Sequence, residues 1–170
     1  MEDNLQVIVS KEEIAARVGT LAEEIRTAYG DQDLTIVGLL EDSFIFLADL
    51  VRAIDAPLKC CFLKASVHTT GGHMDIVYTT EFDPHGTNIL LVGGVLDTGV
   101  TLDYIERQLT ARGAKSVKAC VLVDKPTFRT TDLTPEFIGF ERTEERVIGY
   151  GLGLGNAYRY LPHLAVLATS

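Results

Sequence analysis

An α/β fold with a mostly parallel central sheet flanked by helices is what this sequence predicts, on three observations. Largely apolar runs recur at Leu34 to Leu40, Ile89 to Val92 and Ser116 to Val123, the pattern of strands buried on both faces. Stretches between them repeat apolar residues at helical spacing, as in Leu102, Ile105 and Leu109. Strands that alternate with helices favour parallel neighbours joined by right-handed crossovers.

Taken in order, Ser10 with Glu13 forms a capping-box pattern, and Ile14, Val18, Leu21 and Ile25 then line one helical face as far as Gly30. Leu34 to Leu40 is the first buried strand, broken by Glu41-Asp42-Ser43, where Ser43 can cap the next helix. That helix carries Phe44, Leu47, Val51 and Ile54 and ends before Pro57. Leu58 to Ala65 is a strand. Residues 67–82 are turn-rich around Thr69-Thr70-Gly71-Gly72 and alternate weakly afterwards, which predicts a projecting, flexible flap or hairpin. Gly113 is a candidate C-cap for the helix that begins near Leu102. Phe137 to Phe140 and Arg146 to Tyr150 read as short strands, followed by a glycine-rich loop and the apolar end His163 to Leu167.

The chain has 170 residues, 46% of them hydrophobic, enough for one well-buried domain and hardly for two. No apolar run approaches the span of a bilayer, and the start MEDNLQ lacks the basic and hydrophobic regions of a signal peptide, so the expected address is the cytoplasm. Twenty-four acidic against fifteen basic residues give a net charge of −9, which disfavours nucleic acid and anionic membrane as partners. Cys60, Cys61 and Cys120 are too few and wrongly spaced for a zinc ribbon or disulfide framework, and are expected to be reduced core thiols. His68, His73 and His85 are spread along a loop-rich stretch without accompanying cysteines, so they are expected at the surface rather than on a metal.

The stretch NILLVGGVLDTGVTL, Asn88 to Leu102, is the chemical centre of the chain. A buried strand runs into a small hydroxyl-bearing turn and then a helix. That geometry aims main-chain N–H groups and the positive end of a helix dipole at one point, which suits a phosphate. A bare Asp-Thr-Gly is more often only a turn. Likewise Lys125 before a proline is more often a solvated lysine, and Glu41-Asp42 can be a solvated loop pair. The run GYGLGLG, Gly149 to Gly155, fails the G-x-G-x-x-G spacing of a dinucleotide loop, because Leu154 and Asn156 fall where the third glycine belongs.

Asp97-Thr98-Gly99 with Thr101 resembles the phosphoribosyl-diphosphate (PRPP) loop of type I phosphoribosyltransferases, in the hypoxanthine-guanine branch. The resemblance extends through VGLLEDSFIFLADLVRAI (Val37 to Ile54), VLVDKPTFR (Val121 to Arg129) and IGFERTEERVIGYGLGLGNAYRYLP (Ile138 to Pro162). It implies a type I phosphoribosyltransferase fold with a small hood from the two chain ends, and purine salvage as the setting. It further implies that Asp97 is the candidate base at the purine N7, and that Asp97, Thr98, Gly99, Val100 and Thr101 hold a 5′-phosphate. Lys125 would recognise a 6-oxo group. Val147 would meet the base through its backbone, with Arg146 where the family stacks an aromatic ring. Glu41, Asp42, Ser66 and Arg159 fall on the pyrophosphate side.

Several positions depart from the family pattern. Gly93-Gly94 replaces the acidic pair of the PRPP loop, Gly153 replaces a metal-binding aspartate, and Val100 stands where a lysine or arginine is common. Glu41-Asp42 replaces a lysine-glycine pair, placing carboxylates where pyrophosphate would bind, or rebuilding a cation site there. The losses fall on metal and pyrophosphate contacts and spare those to base and monophosphate. No metal ligand set is expected, and magnesium only if the chain is active. The expectation is a hypoxanthine-guanine phosphoribosyltransferase homologue that keeps 6-oxopurine nucleotide, purine base or phosphate binding, with weak or absent PRPP-dependent transfer. Two alternatives stand beside it: an active pentosyltransferase with a rearranged metal site, and a non-catalytic interaction subunit. The family's habit implies a homo-oligomer or pairing with an intact paralogue.

Overall fold

The computed structural model describes residues 5–67, 74–79 and 81–168. The strand β1 (Leu5–Val9) leads to Ser10, which opens α1 (Lys11–Tyr29). The Ser10 hydroxyl accepts the Glu13 amide at 3.2 Å while the Glu13 carboxylate accepts the Ser10 amide at 2.8 Å, so the capping box closes in both directions. Ile14, Val18, Leu21 and Ile25 are buried as their spacing requires, and Gly30 ends the helix at φ 55°.

β2 (Leu34–Leu40) and α2 (Phe44–Ile54) follow. Ser43 precedes α2 but does not cap it with its side chain; its hydroxyl donates back to the Leu39 carbonyl at 2.5 Å. The inner face of α2 is Phe46, Leu47, Leu50 and Ile54, whereas Phe44 is 44% exposed. An apolar stripe this broad leaves the helix phase open, and packing on the sheet sets it.

The remaining elements are β3 (Lys59–Val67), β4 (Met74–Tyr78), β5 (Asn88–Leu96), α3 (Val100–Ala111), β6 (Ser116–Asp124), β7 (Phe137–Glu141) and β8 (Leu164–Leu167). They build a six-stranded sheet in the order β4-β3-β2-β5-β6-β7, parallel throughout except for β4 against β3. The two chain ends meet as a separate antiparallel pair, β1 with β8. Of the flap expected over residues 67–82, Met74–Tyr78 is the edge strand of the sheet; residues 68–73, with Thr69 to Gly72, His68 and His73, and residue 80 lie outside the described residues. His85 is exposed.

The sheet is covered on both faces, which explains the unbroken apolar runs. Leu90 and Val92 of β5 pack with α1 and α2, while Ile89, Leu91 and Leu96 pack with α3. Two expectations are corrected. Arg146 to Tyr150 is not a strand but carries two isolated bridges, Ile148 to Ala165 and Gly149 to Leu152, because Gly149 and Tyr150 turn into the left-handed region at φ 94° and 50°. Cys60 is exposed and only Cys61 and Cys120 are core thiols, since consecutive residues of β3 face opposite sides. Among the described residues no helix is long and apolar enough to cross a membrane.

Candidate functional site

The candidate residues gather where the parallel strands end, the end at which open α/β sheets bind ligands. β2 runs into Glu41-Asp42, β5 into Asp97-Thr98-Gly99 and β6 into Lys125, with Ser66 near the end of β3.

The Asp97 turn is clamped from behind and open in front. The Asp97 carbonyl accepts Arg129 Nε at 3.2 Å, and the Thr98 carbonyl accepts the Thr130 amide at 2.9 Å and its hydroxyl at 3.2 Å. The Arg129 guanidinium also donates to the Leu133 carbonyl and forms an ion pair with Asp124. Gly99 has φ 87°, and a Cβ there would lie 2.3 Å from Thr131 Oγ1, so no other residue fits this corner. Beyond it α3 begins at Val100 without a side-chain cap; Thr98 Oγ1 is 3.5 Å from the Val100 amide. The first-turn N–H groups therefore lack strong internal acceptors. In front lies a cavity of about 90 Å³ lined by Val95, Leu96, Asp97, Thr98, Gly99, Thr101 and Leu102. Asp97 and Thr98 are exposed beside it, and the Val100 side chain is exposed too.

Lys125 is not a solvated loop lysine. It is 3% exposed, its amide donates to the Leu96 carbonyl at 2.9 Å, and its Nζ donates to the Glu145 carbonyl at 2.6 Å. The ammonium lies 5.4 Å from the Phe128 ring centroid. The Glu145 contact brings the loop carrying Arg146 and Val147 beside Lys125; Arg146 is exposed and Val147 buried.

Glu41 and Asp42 are exposed, and both are ion-paired. Glu41 accepts Lys64 Nζ at 2.9 Å and stands 3.8 Å from Arg159, while Asp42 pairs with Arg159 directly. The Arg159 guanidinium donates further to the carbonyls of Gly151 at 2.7 Å and Gly155 at 3.3 Å. The Lys64 ammonium, hydrogen-bonded to Glu41, holds that carboxyl below the usual carboxylate range, and Arg159 adds a smaller pull.

Gly94 and Gly153 pack closely against this network. A Cβ at Gly94 would lie 2.8 Å from Asp42 Cβ and 2.9 Å from both the Asp42 carbonyl and Leu152 Cδ2. A Cβ at Gly153 would lie 2.9 Å from the Arg159 guanidinium carbon and 2.8 Å from the Gly155 carbonyl. Gly93 is different: its nearest neighbours, on Leu102 and Val121, would be at 3.5 to 3.6 Å, ordinary contact. Ser66 is exposed and pairs in register with Asp75 on the edge strand. Among the described residues no three His, Cys, Asp or Glu side chains gather as a metal site.

Two contributors escaped sequence reasoning. Lys64 is legible only through the sheet, because it stands opposite Leu40 in the β2–β3 register, next to Glu41. Arg129 lies within the quoted VLVDKPTFR, yet its reach back to Asp97 crosses from one strand end to another. Chemically, the arrangement offers main-chain donors for an oxyanion, a buried ammonium for an oxo acceptor, and an exposed carboxylate, Asp97, at the start of the turn.

Comparison with known proteins agrees with this layout. The phosphoribosyl transferase domain family model matches residues 6–153. The hypoxanthine phosphoribosyltransferase of Salmonella typhimurium is 35% identical, with 96% of each chain covered. The hypoxanthine-guanine phosphoribosyltransferase of Aquifex aeolicus is 38% identical over 94% of this chain and 93% of its own. The crystal structure of a hypoxanthine-guanine phosphoribosyltransferase from Bacillus anthracis superposes with a TM-score of 0.91 at 30% identity, covering 99% of this chain and 100% of that one. With the sheet order, the strand-end turn and relatives matched along nearly their whole length, this chain belongs to the hypoxanthine-guanine phosphoribosyltransferase family and has the type I phosphoribosyltransferase fold.

Proposed function

We propose that this chain binds a 6-oxopurine nucleoside monophosphate, or its phosphate alone, and carries out PRPP-dependent transfer weakly or not at all. The carrying observation is the pairing of an open Asp97–Thr101 turn with carboxylate positions closed by the chain itself. The turn keeps its cavity and its uncapped helix start, which support phosphate binding at Asp97, Thr98, Gly99, Val100 and Thr101. Lys125 is held by its backbone and by Glu145 beside Arg146 and Val147, which suits a hydrogen bond to a purine oxo group. Asp97, exposed at the turn, suits a proton at the purine ring.

Magnesium does not fit the residues present. Magnesium sites of this kind take one or two carboxylates together with substrate phosphates. Gly94 and Gly153 have no room for a side chain, and Glu41 and Asp42 are held by Lys64 and Arg159. Loss of a single electrostatic stabiliser lowers a rate by roughly 10²–10³, and here several are missing together.

The relatives' names favour a second reading, an active hypoxanthine or guanine pentosyltransferase with a rearranged site. Thermal shifts with GMP, IMP and PRPP, each with and without magnesium, separate the two when run beside a PRPP-consumption assay. The proposal expects stabilisation by GMP or IMP that is insensitive to magnesium, with little turnover. Brisk magnesium-dependent consumption of PRPP gives the case to the active enzyme. In either reading the setting is cytoplasmic purine salvage, and co-purification distinguishes a homo-oligomer from pairing with an intact paralogue.

A further inference from the structure

Five polar or charged side chains are buried among the described residues, and four of them are satisfied within the chain. Ser43 bonds Leu39, Asn88 bonds Asp33 and Ser116, Asp124 pairs with Arg129, and Lys125 bonds Glu145. Thr35 is the exception: it is 4% exposed, and its hydroxyl has no hydrogen-bond partner among the described residues. A buried hydroxyl left unpaired is costly, which favours a ligand able to bond it. Thr35 lines a cavity of about 490 Å³ at the amino ends of β2, β3, β5 and β6. The Asp97 turn lies at the opposite end of the sheet, about 26 Å away along β5.

The same cavity holds two of the three basic side chains that lack a partner. Of the fifteen lysines and arginines, all but Lys59, Lys115 and Arg146 have an ion pair, a hydrogen bond or an aromatic ring within reach. Arg146 belongs to the candidate site, whereas Lys59 and Lys115 both line this cavity. Lys59 stands opposite Thr35 in the β2–β3 register, so the two side chains leave the same face of the sheet. The Lys115 amide donates to the carbonyl of Thr87, another lining residue, at 2.8 Å. Asp33 is the one carboxylate in the lining, which leaves the cavity singly positive in a chain of net charge −9.

We propose that this cavity is a second ligand site, separate from the Asp97 turn, and that it takes a small phosphomonoester. The Lys59 and Lys115 ammonium groups and the Thr35 hydroxyl are three donors for three terminal phosphoryl oxygens, and the two cations match a charge of about −2 at neutral pH. A carboxylate brings one charge and two oxygens and leaves a donor unused. The volume lies in the range of small-molecule sites and exceeds what a bare phosphate fills. Leu34, Pro57 and Leu58 give the carbon part of the ester an apolar wall. The site stands whether or not a nucleotide binds at the turn.

The test titrates glycerol 3-phosphate into the full chain by calorimetry, in a buffer free of other phosphate. Four proteins are compared: wild type, Lys59→Gln/Lys115→Gln, Thr35→Val, and Thr98→Ala/Thr101→Ala, which disables the turn instead. Wild type is expected to bind saturably, and the turn variant to keep that binding. The lysine variant should lose roughly tenfold or more, the scale of charged donors, and Thr35→Val roughly fivefold, the scale of one neutral hydrogen bond. Both lysines are exposed and unpaired, so their replacement is expected to leave the fold intact. If Thr35→Val or the turn variant does not fold, wild type against the lysine variant decides. No saturable binding in wild type, its disappearance in a folded turn variant, or identical isotherms for wild type and the lysine variant overturns the proposal. GMP titrated into the lysine variant reports separately on the turn and is expected to match wild type.

Discussion

A methyl group added at Gly94 is expected to destabilise this protein, while the same addition at Gly93 does not. Both are consecutive residues of β5, both are buried, and neither has a positive φ, so alanine suits the backbone at each. Replacing a strand glycine by alanine removes unfolded-state freedom and stabilises by about 0.4–1 kcal/mol where space allows. At Gly93 space allows, since the new carbon would touch Leu102 and Val121 side chains at 3.5 to 3.6 Å. At Gly94 it would come within 2.8 to 2.9 Å of Asp42 and Leu152, and one of those atoms is a backbone carbonyl that cannot rotate aside. Overpacking of that kind costs about 1–3 kcal/mol. The variants should therefore differ by about 1.4–4 kcal/mol. For a chain of 170 residues this corresponds to roughly 3–16 °C in melting temperature. Circular dichroism melts of Gly93→Ala and Gly94→Ala, in one buffer and on one ramp, measure it. If the two variants melt within about 2 °C of each other, the packing of Asp42 against β5 is not what excludes a side chain at Gly94.

Three further outcomes are expected. Lys125→Met keeps the volume of a side chain that is 3% exposed while removing the ammonium that donates to Glu145. It should weaken GMP binding by roughly 10-fold or more through loss of a charged donor and leave phosphate binding at the turn intact, both read by calorimetry. At the start of α1, Ser10→Ala removes the cap and is expected to lower stability by about 0.5–2 kcal/mol in urea melts. The Ser10 amide and hydroxyl also hold the Glu13 carboxyl below its ordinary value of 4.5. A carboxyl whose pKa is depressed by folding stabilises fully above that ordinary value, and the contribution disappears as pH falls through the lower folded pKa. Glu13→Gln should therefore flatten the loss of melting temperature on acidification from about pH 6 to pH 3; an unchanged acid slope contradicts the assignment.

What the sequence determined by itself was whatever repeats over short range. Period and capping chemistry placed α1, β2, β5 and β6, and a strand-turn-helix succession marked Asp97-Thr98-Gly99, because backbone hydrogen bonding and burial impose those spacings locally. The phase of α2 and the loss of the strand at Arg146 to Tyr150 already lay beyond it, since packing and left-handed turns chose between patterns of similar local energy. The character of the site lay further still. Asp42 meets Arg159 across 117 residues of chain and Arg129 meets Asp97 across 32. Glycine at positions 94 and 153 becomes intelligible only when Asp42 and Arg159 stand over them. Ion pairs and excluded volume depend on which loops converge at the strand ends, and only the folded sheet brings Glu41, Asp42, Lys64 and Arg159 together.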